Sequence, residues 1–411
     1  RGRGVTGAIA DADRSLVDCS PVTLHQLLQY DPKRNTFRRH EENPIPADVV
    51  LVDEASMVSV DLMASLLRAL APRTKLLLLG DKDQLPSVDA GAVLGQLVQG
   101  LDAAALSRAT CGQLRELLPG MNELVAGGEH WLADAVGFLR TNHRSHPEIR
   151  SAAAAVNRQQ PGPLEKLPTL GPPASIDAAE WKRVGEAGGC FTWPQRTATP
   201  AELKGMLRRW MENAYRTPDA DGASLLDLLG KDPPNFARLF QALDRTRILT
   251  MVREGPWGCD QINEYLAEWL RHQLGRGRSD RQLFPGVPVL VTRNDRSLDL
   301  ANGEVGLAVG GRGGLRVVFA KNGGFVEVQP ESLPSHERGF ALTVHKSQGS
   351  EYDQVLLVLP PTGGRRLLTK ELLYTAITRA KKLVVLSATP AALRDAVRRR
   401  IERDSGMTGE A

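Results

Sequence analysis

Two short apolar runs constrain this chain more than anything else in it. "VVLV" (Val49–Val52) ends on Asp53 and Glu54, and "LLLL" (Leu76–Leu79) ends on Gly80 and Asp81. Between them, "VDLMASLLRAL" carries Leu62, Leu66, Leu67 and Leu70 at helical spacing. Runs this short, apolar on every residue and bounded by polar turns, read as strands whose two faces are both buried. Strand, helix, strand with such strands is the pattern of a parallel sheet covered by helices on both sides. Ligands of these sheets bind beyond the carboxyl ends of the strands, where Asp53, Glu54, Asp81 and Gln84 fall.

The same texture returns further along. "TRILTMV", a Gly/Pro turn and the amphipathic "CDQINEYLAEWLRHQL" restart an α/β pattern. It resumes again with "GFALTVHKSQGS", "DQVLLVLP", a helix expected over 369–379, and "KKLVVLSAT". Between these, "GVPVLVTRND", "GEVGLAVGG", "GLRVVFAK" and "GGFVEVQPESL" are four short β-rich runs separated by turn residues, which predicts a small barrel. The expected organisation is one α/β domain over 1–150 and a second over 151–283 and 337–411, with the barrel of 284–336 inserted into it. Residues 151–240 are the least legible. Helices are expected near 200–215 and 235–244, and "NRQQPGPLEKLPTLGPPAS" reads as a surface loop.

Composition excludes several classes. The 411 residues are 42% hydrophobic and 24% charged, and no apolar run approaches the roughly 18 residues of a membrane span. Cys19, Cys111, Cys190 and Cys259 are far apart and form no C-x-x-C pair, against a zinc site or disulfide framework and in favour of a reducing cytoplasm. A net charge of +4 permits nucleic-acid binding without requiring it. The opening "RGRGVTGAIADADRS" has no apolar core of a secretory signal and no initiator Met, so the chain is expected to be a piece of a longer one.

Five constellations carry chemistry. At the strand end, Asp53 can hold Mg²⁺ and Glu54 can polarise a water for attack on a γ-phosphate; the bland alternative is a solvated acidic pair. In "LLLLGDKDQLPSV", Gln84 is placed to sense a phosphate, whereas Asp81 alone could be a helix cap. Arg144, in "TNHRSHPEI", suits the charge on a transferring phosphoryl group, though a lone arginine is more often a surface residue. His143 and His146 beside it lack a third metal ligand. "ALTVHKSQGSE" offers Thr343, His345, Ser347 and Gln348, then Gly349 and Glu351, a polar cluster suited to phosphate and sugar contacts. Arg379 ends a helix in "ELLYTAITRAKK", where a role in the helix dipole is the competing account.

In order and spacing these strings resemble the motifs of the superfamily 1 helicases, and within them the RecD branch. "VLVDEAS", "LGDKDQLPSV", "TNHRS", "LTVHKSQGSE" and "LLYTAITRAKK" are similar to five successive helicase motifs, and "TLHQLL" to a DNA-contacting motif upstream of them. The resemblance implies an α/β fold of two RecA-like parallel-sheet domains, the first incomplete, with a small SH3-like β-barrel inserted in the second. It implies ATP and Mg²⁺ as cofactors, with Asp53 on the metal, Glu54 activating water and Gln84 reading the γ-phosphate. Arg144 and Arg379 would be arginine fingers, and Gly349 and Glu351 would lie near the nucleotide. Thr23, His25, Thr343, His345 and Asn302 would contact DNA. The implied activity is 5′-to-3′ translocation on single-stranded DNA from duplex ends, in double-strand break repair. RecB- and RecC-like partners are implied, with any nuclease in a partner and no membrane.

One departure is large. The phosphate-binding loop G-x-x-x-x-G-K-[S/T] of such enzymes is absent from these 411 residues. The expectation is that it lies upstream. The alternatives are a stand-alone RecD-like helicase, or a non-catalytic DNA-binding or scaffold subunit if no such loop exists.

Overall fold

The computed structural model describes residues 21–87, 89, 91–101, 106–117, 131–139, 141–218, 221–231, 234–277, 282–311, 313–321, 323–361 and 367–401. They fall into two compact units, one built from 21–82 and 86–101, the other from 83–85 and 106–401.

The described part of the first unit opens with a short helix, Leu24–Leu27, and a hairpin of two-residue strands, β1 (Tyr30–Asp31) and β2 (Thr36–Phe37). Its sheet pairs β3 (Val49–Val52) with β4 (Lys75–Leu78) in parallel, in register from Val49↔Lys75 to Val52↔Leu78. The crossover is the helix Val60–Arg68, whose Ser59 cap accepts the Leu62 N–H. Met63, Leu66 and Ala69 form its buried stripe, while Leu67, expected in that stripe, is exposed. Val50 and Val52 are buried, but Val49, Leu51, Leu77 and Leu79 are each about half exposed, so one face of this pair lies open among the described residues.

In the second unit five strands form a sheet of order β12-β6-β13-β14-β5. They are β5 (Gly189–Pro194), β6 (Thr246–Thr250), β12 (Ala341–Thr343), β13 (Tyr352–Val358) and β14 (Ala380–Ala388). Every pairing is parallel. Alternation along the strands divides the core in two. Ile248, Leu356, Val358, Leu383 and Val385 pack with the helices Pro200–Arg216, Phe236–Arg245 and Cys259–Gln273. Leu249, Val355, Leu357, Val384 and Leu386 pack with Pro147–Asn157, Lys370–Ile377 and Pro390–Arg398. Each fully buried Leu, Val or Ile contributes about 1.5–3 kcal/mol relative to exposure, so a sheet apolar on both faces is stable only when clothed this way.

β6 and β12 are neighbours in that sheet, yet the chain between them forms a second sheet. It contains β7 (Pro288–Val291), β8 (Val305–Gly311), β9 (Gly314–Lys321), β10 (Gly324–Val328) and β11 (His336–Arg338), all antiparallel, in the order β10-β9-β8-β7-β11. The four β-rich runs are thus strands of an inserted sheet. The pairings of the described residues run from β10 at one edge to β11 at the other, without the β10–β11 pairing that would close a ring.

Packing divides the described residues near 101. The segment around residue 145 is tied to the second sheet. The Ser145 hydroxyl donates to the Ala380 carbonyl at 3.2 Å, the His146 N–H donates to the Lys381 carbonyl at 2.8 Å, and Ile149 and Val156 are buried beneath it. The stretch expected to be a loop after Asn157 contains the helix Pro161–Glu165. No described helix is long and apolar enough to cross a membrane.

Candidate nucleotide and nucleic-acid sites

In the first unit, β3 delivers Asp53 and Glu54 to its carboxyl end. The Asp53 carboxylate accepts the Glu54 N–H at 2.8 Å. Glu54 itself sits at φ +51°, ψ +40°, a left-handed conformation that costs a residue with a Cβ about 1 kcal/mol or more. It turns the chain into a single 3₁₀ turn, Ala55–Met57, stitched to the neighbouring strand by Ala55 N–H donating to the Leu79 carbonyl at 2.8 Å. Close approach explains the glycine at position 80: a Cβ there would lie 2.6 Å from Leu94 Cδ2 and 3.1 Å from the Ser56 amide nitrogen. The two strand ends are therefore pressed together.

The Ser56 hydroxyl, two residues after Glu54 in sequence, is buried and has no hydrogen-bond partner. One exposed carboxylate, a neighbouring acid and an orphan hydroxyl fit Mg²⁺, which takes one or two carboxylates and completes its shell with water and phosphate. No cluster of three or more His, Cys, Asp or Glu side chains able to hold a metal is present among the described residues. His146 has a structural task, its Nδ1 accepting the Glu148 N–H at the start of the helix Pro147–Asn157.

Thr23 caps the helix Leu24–Leu27 in a reciprocal box with Gln26. His25 is exposed and packs edge-on to Tyr30 at 5.4 Å and tilted against Phe37 at 5.8 Å. Tyr30 and Phe37 were not singled out from the sequence; their separation by a hairpin hides the cluster from any local pattern.

The second unit brings together four predicted residues. Arg379 is almost fully buried; its Nε donates to the Thr375 carbonyl at 3.3 Å, one Nη to the Ser350 carbonyl at 3.4 Å, and the other to Gln84 Oε1 at 3.0 Å. Nε thus bonds back to the end of its own helix, and the rest of the guanidinium reaches beyond it. Arg144 pairs with Glu351 and donates to the Thr378 carbonyl at 2.7 Å. Lys381 Nζ lies 3.2 Å from the other Glu351 oxygen. These side chains are 31–41% exposed, and such pairs are worth only about 0–1 kcal/mol, so an anionic ligand can take Arg144 from Glu351 at small cost. Gly349, at φ +76°, turns the chain between these groups.

Thr375, which the sequence did not mark, and Gln348, which it did, hold Leu85 beside Gln84. The Leu85 N–H donates to Thr375 Oγ1 at 2.8 Å, and its carbonyl accepts from Gln348 Nε2 at 3.3 Å. Thr343 and His345 lie in a separate cleft with Arg253, Glu337 and Lys346. Asn302 joins neither group. It sits in the turn before β8, its N–H donating to Asn294 Oδ1 at 2.6 Å.

The chain is similar to several known proteins. Residues 7–90 match the family described as an AAA domain, and 338–387 the UvrD-like helicase C-terminal domain. The RecBCD enzyme subunit RecD of Mycolicibacterium smegmatis is 34% identical over 96% of this chain and 60% of its own length. That of Haemophilus influenzae is 31% identical over 94% and 58%. An ATP-dependent RecD2 DNA helicase of Deinococcus radiodurans is 28% identical over 87% of this chain and 38% of its own. Among solved structures, the Pif1 helicase of Candida albicans aligns at 14% identity and a TM-score of 0.40, covering 92% of this chain and 79% of that one.

The parallel sheets, the motif-bearing strand ends and the two matched families define a chain of the superfamily 1 helicase class. Within that class its similarity runs to RecD subunits, 31–34% identical over about 95% of this chain. It spans about 60% of the length of the curated relatives it matches.

Proposed function

We propose that this chain is the motor portion of an ATP-driven DNA helicase subunit. The observation that carries the reading is the hydrogen bond from Arg379 to Gln84, which joins two helicase-like strings 295 residues apart. A guanidinium held on a glutamine amide is placed to respond to a phosphoryl group bound by either.

In this reading the Asp53 carboxylate would hold Mg²⁺ and Glu54 would take the proton of the attacking water. Gln84 would sense the γ-phosphate, while Arg144 and Arg379 would stabilise its developing charge. Gly349 and Glu351 would border the nucleotide. When bound, Mg²⁺ supplies charge neutralisation on the phosphates. Thr23, His25, Thr343, His345 and Asn302 would follow a single DNA strand, mainly through its backbone, with marked salt dependence and little sequence preference. Movement 5′ to 3′ within a RecBCD-type complex, RecB- and RecC-like partners, nuclease in a partner, DNA-end processing in break repair and a cytoplasmic location complete the proposal. The RecD relatives support it.

The test is ATP hydrolysis by the complete gene product with and without single-stranded DNA, in the wild type and in Glu54→Gln. The wild type should be stimulated by DNA. The variant should lose about 10²–10⁴-fold in turnover while still binding both ligands, the usual contribution of a positioned base. Near-normal hydrolysis by Glu54→Gln would refute the assignment. DNA binding without hydrolysis in either form would point to a scaffold subunit instead.

A further inference from the structure

A cleft of about 250 Å³ in the second unit is lined by Arg253, Cys259, Glu337, Thr343, His345 and Lys346, among others. Its two long cations are already engaged. Glu337, on β11, takes Arg253 Nη2 on one oxygen at 3.0 Å and the Lys346 ammonium on the other. Arg253 Nε also lies 3.3 Å from Asp260. Thr343 is part of the same set, its hydroxyl accepting the Lys346 N–H at 3.4 Å.

The loop presenting Arg253 is firmly built. The Arg253 carbonyl accepts the Asp260 N–H at 3.0 Å and the Val252 carbonyl accepts the Cys259 N–H at 3.2 Å. A Cβ on Gly258 would fall 2.4 Å from the carbonyl oxygens of Arg253 and Glu254, so only glycine lets the loop close on itself. The cation is thereby held at the cleft while its side chain stays 58% exposed.

One carboxylate bridging a guanidinium and an ammonium presents two oxygens and one negative charge. A phosphodiester presents the same: two non-bridging oxygens sharing one charge. We propose that Arg253 and Lys346 form a binding site for one backbone phosphate of single-stranded DNA, with Glu337 as its built-in competitor. Strand entry exchanges Glu337 for a phosphate at both cations. The proposal rests on the reading of Thr343 and His345 as part of the DNA track and adds to it the cations, the ligand group and the carboxylate that tunes affinity. A partly exposed ion pair holds its partners by no more than about fivefold, weak enough for a phosphate to displace. Until it is displaced, the cleft's charge is masked from the strand.

The test is fluorescence anisotropy of a labelled oligothymidylate titrated with this chain at several salt concentrations. Glu337→Gln should bind about two- to fivefold more tightly, and its slope of log affinity against log salt should steepen by up to about 0.7, because no displaced carboxylate recaptures a counterion. Glu337→Asp, which keeps the charge, should stay near the wild type. Arg253→Gln in the Glu337→Gln background should abolish the gain. If Glu337→Gln does not fold, Asp260→Asn, which removes the second carboxylate on Arg253, should shift affinity in the same direction by a smaller factor.

Equal or weaker binding by folded Glu337→Gln, with an unchanged salt slope, overturns the proposal. If Thr343→Ala still weakens binding in that case, the DNA track stands and only this inference fails. If neither substitution alters binding, both are refuted.

Discussion

The hydrogen bond from the Leu85 N–H to Thr375 Oγ1 gives the sharpest handle on how Gln84 is held. Thr375 is fully buried, the bond is 2.8 Å long, and Leu85 is 2% exposed. Thr375→Val keeps the shape and removes the acceptor, leaving a buried N–H without a partner at a cost of about 1–3 kcal/mol. The Gln348 amide still holds the Leu85 carbonyl at 3.3 Å, so the segment loosens rather than detaches. A cost near the middle of that range should raise the fraction of open segment, and the hydrogen-exchange rate of the Leu85 amide, by about 10- to 100-fold. Thr375→Ser keeps the oxygen and loses only a methyl, so it should lower stability modestly without selectively deprotecting Leu85. Hydrogen exchange resolved to that amide is the assay, with a denaturant midpoint alongside. Wild-type protection of Leu85 in Thr375→Val, or equal deprotection in Thr375→Ser, would refute the argument that the hydroxyl positions this segment.

Two further outcomes are expected. Gly80→Ala places a methyl 2.6 Å from Leu94 Cδ2 and within 3.1–3.2 Å of the Ser56 and Ala55 amide nitrogens. It should cost about 1–3 kcal/mol by overpacking, read as a lowered denaturant midpoint; a wild-type midpoint would show that the turn after Glu54 yields freely. The Ser224 hydroxyl and N–H both donate to Asp227 and hold its carboxyl below the ordinary carboxylate range. A depressed folded-state pKa contributes stability that is present above the unfolded value and lost as pH falls through the folded one. Asp227→Asn should therefore flatten the acid limb of a melting-temperature profile below about pH 4, and an unchanged limb would remove Asp227 from the account.

What was legible in the sequence was local. Apolar runs with polar ends identified β3, β4, β6 and β13, and helical spacing found Pro200–Arg216, Phe236–Arg245 and Lys370–Ile377 within a residue or two. The strand β5 was not recognised. "GCFTWP" mixes half-buried and buried positions at the edge of a sheet, and its pairing with β14 spans almost two hundred residues, which no window can sense. β11 is three residues long and half-buried throughout, too little pattern to mark a strand. The site shows the same division. Arg379 and Gln84 could be suspected from their strings, but Thr375, an ordinary mid-helix threonine by spacing, acquires its role only by meeting a backbone amide 290 positions away.

The first unit shows what a correct local reading can and cannot mean. Strands apolar on successive residues imply burial on both faces, yet Val49, Leu51, Leu77 and Leu79 stand 43–58% exposed along one side of β3 and β4. The residues alternating with them along β3, Val50 and Val52, are buried in one cluster with Met63 and Leu66. The exposed side chains are as apolar as the buried ones, and nothing local distinguishes them. At about 25 cal/mol per Å² of apolar surface, leaving four such side chains in water forfeits several kcal/mol, a large fraction of a domain's net stability. Sequence pattern therefore records the environment a strand is built for, and two strands with one helix supply only half of it. The pair that carries Asp53 and Glu54 has the composition of an interior sheet, yet among the described residues only one of its faces is covered.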